Sequence, residues 1–92
     1  MTDGTKPKRR RVRFALTAGE GKKVFLSGVF NDWSPTRHPM KYKDGVYAAT
    51  VLIEPGEYEY KFIVDGEWCV DPECLSWTCN QHGTLNSVIV VS

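Results

Sequence analysis

Ninety-two residues, 41% hydrophobic and 12% aromatic, suffice for one small domain with a packed core and leave too little chain for a deep catalytic cleft. A formal net charge of +1 points to no partner chosen by bulk charge, although the run KPKRRRVR over residues 6–13 is strongly basic and the remainder mildly acidic. No apolar stretch is long enough to span a membrane, and MTDGTKPKRRR lacks the apolar segment of a secretory signal, so an intracellular, cytoplasmic protein is expected.

Residues 1–9 read as a flexible basic tail, and residues 10–92 as the folded domain. Val12, Phe14 and Leu16 alternate with Arg11, Arg13 and Ala15, which predicts a half-buried strand. AGEGKK, residues 18–23, predicts a turn. Val24, Leu26, Gly28 and Phe30 then share one face of a second strand. A loop with Pro35 and Pro39 leads to MKYKDGVYAATVLI, where Asp44-Gly45 is a strong hairpin signal. EPGE, residues 54–57, predicts the next tight turn. In EYEYKFIVDG, Tyr58, Tyr60, Phe62 and Val64 face one way while Glu57, Glu59 and Lys61 face the other. Asp65-Gly66 marks another hairpin, leading to Trp68. Residues 71–83 have no clear period and read as a loop. LNSVIVV closes the chain as a strand with Leu85, Ser87, Ile89 and Val91 inward and Asn86 outward. No segment shows a helical period. About seven short strands separated by turns predict an all-β, antiparallel β-sandwich.

The segment VFLSGVFNDWS poses the functional question, because Trp33 stands among turn formers that belong on the surface. Trp68 likewise follows a hairpin turn. By parity Lys61 lies on the solvent face of its strand and Asn86 on that of the last. Two indoles, an ammonium and a carboxamide can therefore meet on one exposed surface. Periodicity alone leaves open the blander roles: an end cap for Trp33, a cross-strand packing partner for Trp68, a solvated Lys61, a strand-edge Asn86.

The segments LSGVFNDWS, GEYEYKFIVDGEW with the following Asp-Pro, and GTLNSVIVV resemble carbohydrate-binding module family 48, in particular the glycogen-binding domain of the AMP-activated protein kinase beta subunit. Isoamylases and branching enzymes carry similar domains. The resemblance covers roughly residues 12–91. It implies an immunoglobulin-like sandwich that binds α-1,4-linked glucan without catalysis and targets an attached or associated kinase or glucan-active enzyme to the polymer. It further implies that Trp33 and Trp68 stack on glucose rings, that Lys61 and Asn86 hydrogen-bond sugar hydroxyls, and that Thr84 lines the site. His82 occupies the place of a leucine that precedes the Gly-Thr pair in the kinase domain. Trp77 has no counterpart in the family's site.

The other chemistries are weaker. Cys69, Cys74, Cys79 and His82 match no common zinc spacing, and three cysteines fit a reducing compartment better than a disulfide framework, so no metal and no cofactor is expected. Asp65, Glu67, Asp71 and Glu73 lack the cleft that a glycosidase carboxylate pair needs. The arginine run with exposed indoles also fits single-stranded nucleic acid, but half of the run belongs to the first strand, so neither nucleic acid nor membrane is expected as a partner. A protein-interaction sandwich with little or no sugar binding is the alternative function.

Overall fold

The computed structural model describes residues 8–92. Most of the tail expected over residues 1–9 lies outside the described residues; Lys8 and Arg9 are exposed. Among the described residues nine strands follow in chain order: β1 (Arg10–Thr17), β2 (Val24–Gly28), β3 (His38–Pro39), β4 (Lys41–Lys43), β5 (Val46–Ile53), β6 (Gly56–Val64), β7 (Glu67–Cys69), β8 (Trp77–Cys79) and β9 (Leu85–Val91). They form two antiparallel sheets. The smaller has the order β1-β5-β4. The larger runs β3-β2-β6-β9-β8, with β7 paired to the end of β6 beyond β9. This is an all-β, immunoglobulin-like sandwich. It exceeds about seven strands because pieces as short as β3 and β8 hold too few residues to show an alternation.

The faces predicted to be apolar are the ones that meet. Phe14 and Leu16 of β1 and Tyr47, Val51 and Ile53 of β5 pack against Val24, Leu26, Tyr60, Phe62 and Val91 of the larger sheet. Fully burying one such aliphatic or aromatic side chain contributes about 1.5–3 kcal/mol. Polar anchors tie loops to this core. Tyr47, 2% exposed, donates its hydroxyl proton to the Gly19 carbonyl at 2.7 Å and accepts the Lys22 N–H at 3.0 Å, fixing the 18–23 turn. Tyr60 donates to the Asp71 carboxylate at 2.7 Å, and the Asp71 N–H donates to the Ser87 hydroxyl at 2.7 Å, fixing the segment after β7. Burial, then the bond to Asp71, push the Tyr60 phenol pKa upward.

Both Asp-Gly pairs form the predicted two-residue hairpins, with positive φ at Asp44, Gly45, Asp65 and Gly66, as the primed turn requires. The segment 71–83, expected as a loop, contains β8, held by its pairing with β9, and two further expectations need correction. The second strand stops at Gly28 rather than running through Phe30, because Asn31 turns its side chain back: its Oδ1 accepts the Gly28 N–H at 3.0 Å and its Nδ2 donates to the Leu26 carbonyl at 3.1 Å. Residues Val29–Asn31 form a single 3-10 turn, from which Phe30 still packs on the core at 5.4 Å from Phe14. Leu85, expected inward, is 49% exposed; it pairs with Cys79 of β8 at the margin of the larger sheet, outside the buried core.

Candidate functional site

The outer face of the larger sheet carries the site. In β6, Tyr60 and Phe62 point to the core, so parity turns Glu59, Lys61 and Ile63 outward. Ile63 pairs with Trp68 of β7, which brings that indole onto the same face above a buried aliphatic side chain. Trp33 arrives by another route. After the 3-10 turn, Asp32 and Trp33 both take positive φ, 57° and 58°, and the Trp33 N–H returns to the Gly28 carbonyl at 2.9 Å. The chain doubles back and lays the second indole beside the first. Their ring centroids are 6.4 Å apart and their planes are inclined at 50°. Trp68 is 47% exposed and Trp33 is partly exposed, so both offer ring surface to solvent.

Across the sheet from the indoles, polar side chains converge. The Lys61 ammonium donates to the Thr84 hydroxyl at 3.2 Å. The Asn86 Nδ2 donates to the Glu59 carboxylate at 2.8 Å, and Asn86 itself is only 5% exposed. The 80–84 turn is closed by its own backbone, with the Asn80 N–H bonded to the Thr84 carbonyl at 2.8 Å and the Gly83 N–H to the Asn80 carbonyl at 3.1 Å. His82 is exposed on this turn and its N–H donates to Asn80 Oδ1 at 2.9 Å.

All six residues anticipated for the site, Trp33, Lys61, Trp68, His82, Thr84 and Asn86, line one open groove of about 720 Å³. Glu59 and Asn80, which sequence reasoning did not single out, line it too. Both left a trace: Glu59 lies two residues before Lys61 and shares its strand face, and an Asn followed by Gly83-Thr84 has the make-up of a side-chain-closed turn. Trp77 is elsewhere. Its register with Ser87, and that of Ser87 with Tyr60, place it on the opposite face of the sheet, 47% exposed. The three cysteines are free thiols, and among the described residues no three His, Cys, Asp or Glu side chains are grouped to hold a metal.

Flat apolar plates beside fixed donors and acceptors, on an open sheet face rather than in a cleft, have the chemistry that a carbohydrate-binding module uses. Comparison with known proteins agrees. The family model described as the glycogen recognition site of AMP-activated protein kinase matches residues 11–92, and the chain belongs to this family of non-catalytic carbohydrate-binding domains. It is 38% identical over 91 residues to the 5'-AMP-activated protein kinase subunit beta-1 of Sus scrofa, covering 99% of this chain and 71% of that one. It is 40% identical over 88 residues to Protein PTST homolog 2, chloroplastic, of Arabidopsis thaliana, covering 90% of this chain but 16% of that protein. A crystal structure of maltogenic amylase from S. marinus shares the fold, with a TM-score of 0.79 and 22% identity over 95% of this chain and 14% of the amylase.

Proposed function

We propose that the groove binds α-1,4-linked glucan, of glycogen or starch type, through Trp33, Lys61, Trp68, His82, Thr84 and Asn86, and that the module brings an attached or associated activity to that polymer. The observation that carries this reading is the inclined pair of indoles, 6.4 Å apart, facing solvent beside Lys61, Thr84 and Asn86. A glucopyranose has an apolar face of axial C–H groups and a rim of hydroxyls. An indole covers the first with a rigid surface at little entropic cost. Lys61 supplies donors and the Asn86 amide supplies both donor and acceptor for the rim. Each sugar hydrogen bond replaces one to water, so each contributes about 1 kcal/mol net. An open site of this kind binds in the micromolar to millimolar range, on the order of −4 to −8 kcal/mol.

Calorimetric or NMR titration with maltoheptaose tests the reading. Saturable binding with shifts centred on Trp33 and Trp68 is expected, and the Trp33→Ala, Trp68→Ala double variant should lose at least about 2 kcal/mol, some thirtyfold or more in Kd. Silence of the parent at millimolar sugar, or full binding by the double variant, refutes it. The activity served by the module, a kinase or a glucan-active enzyme, belongs to the proposal. A second reading as a protein-docking sandwich draws on Leu75, Trp77 and Leu85, all exposed outside the groove. A partner held there would stay bound in excess maltodextrin.

A further inference from the structure

We infer that Asn80 is the positioning residue of the groove: it sets which way the hydrogen bonds of Thr84 and Asn86 point, and so which sugar atoms those two residues can meet. The inference rests on the glucan reading above and follows from counting valences. Asn80 Oδ1 accepts two backbone N–H groups, those of His82 at 2.9 Å and Thr84 at 3.1 Å. Backbone N–H groups only donate, so this atom must be the oxygen and its partner the amide nitrogen. That nitrogen donates to Thr84 Oγ1 at 2.7 Å and to Asn86 Oδ1 at 3.2 Å. All four hydrogen-bonding sites of Asn80 are thus engaged inside the protein, and none is left for a ligand although the residue lines the groove.

The consequences pass outward. Thr84 Oγ1 receives Asn80 Nδ2 on one lone pair and Lys61 Nζ, at 3.2 Å, on the other. With both lone pairs engaged, its hydroxyl can only donate toward the groove, and the matching sugar atom is an acceptor oxygen. Asn86 is oriented from both ends, its oxygen by Asn80 and its nitrogen by Glu59 at 2.8 Å, leaving one N–H and one lone pair for sugar. Glu59 retains a second carboxylate oxygen, an acceptor for a sugar hydroxyl.

Asn80→Asp separates this role from turn formation. The carboxylate still accepts from the His82 and Thr84 backbones but can no longer donate. The Thr84 proton then turns onto the introduced carboxylate and is lost to the sugar. Asn80→Asp should leave the protein folded, lower its thermal midpoint modestly because a carboxylate oxygen then faces Asn86 Oδ1, and weaken maltoheptaose binding roughly tenfold. Thr84→Val should weaken binding several-fold in the parent and hardly at all in the Asn80→Asp background. Binding within about twofold of the parent, or an equal cost of Thr84→Val in both backgrounds, overturns the inference while the indole variants leave the glucan reading standing. A parent that ignores maltoheptaose overturns the glucan reading itself. The positioning role is then decided by the Asn86 side-chain amide resonances, which Asn80→Asp must shift; unmoved resonances overturn it.

Discussion

Trp33 has a φ of +58°, a region that bulky side chains seldom enter, and Asp32 before it has +57°. Such a residue costs on the order of 1–3 kcal/mol and persists only where its surroundings enforce it. Here the Trp33 N–H bond to Gly28, the Ser34 N–H bond to the Asn31 carbonyl at 3.1 Å and the Asn31 side-chain clamp enforce it. Gly28 is extended, with φ −173°, so any residue suits its backbone; space is what it lacks. A Cβ there would lie 2.7 Å from the Glu59 carbonyl oxygen and under 3 Å from the Phe30 ring. The carbonyl belongs to β6 and cannot move away cheaply. Gly28→Ala should therefore destabilise the fold by about 1–3 kcal/mol in urea denaturation and change the tryptophan emission, because the displaced strand end carries the acceptor that holds Trp33. Unchanged stability and emission would contradict this account.

Between β2 and β3, the same clamp reaches a titratable group. Asn31 Nδ2, already fixed as a donor by its Leu26 bond, lies 2.9 Å from His38 Nδ1, so that ring nitrogen accepts and the ring is neutral. Burial, then the adjacent Arg37 guanidinium, hold the His38 pKa below its ordinary 6.5. The unfolded chain therefore takes up this proton first as pH falls. The stabilisation is fully present above 6.5 and is lost as pH drops from there through the lower folded value. The urea midpoint should decline as pH falls below 6.5, and that of His38→Gln, which keeps an acceptor but no titration, should decline less. Equal declines would remove His38 from the explanation.

The elements also show what could be read in advance. Period-two alternation located β1, β6 and β9 because each is at least seven residues long and turns alternate side chains toward the core. The Asp-Gly pairs located two hairpins because few other residues tolerate two successive positive φ values. β8 escaped because three residues cannot display a period; it is held from its neighbours, through the Val88 N–H to Ser76 carbonyl bond at 2.9 Å and the Asn80–Thr84 closure. Phe30 reads as part of a strand because its apolar character fits either conformation, and only the Asn31 clamp decides between them. The six groove residues were legible as a set through family resemblance. Glu59 and Asn80 were not, since their roles arise from partners 27 and 4 to 6 residues away in the chain.

At the scale of the whole molecule the two sheets divide the work. The three-stranded sheet closes the core, while the larger sheet closes it on one face and carries the groove on the other. Stability and recognition should then be separable. Tyr47→Phe removes the hydroxyl that joins the 18–23 turn to β5 and leaves the Gly19 carbonyl and the Lys22 N–H without it. It should cost about 1–2 kcal/mol of unfolding free energy with an unchanged maltoheptaose Kd. A parallel loss of affinity would show that the sheets are coupled.

The 50° inclination of the paired indoles has a consequence for the shape of an acceptable guest. A straight ribbon of sugars can lie flat on one ring but must lift away from its neighbour. A strand that curls as it lengthens keeps contact with both. On the proposed reading, the domain gauges curvature: two polymers of the same sugar with identical hydroxyls are told apart by the bend of their linkage before a single polar contact is made.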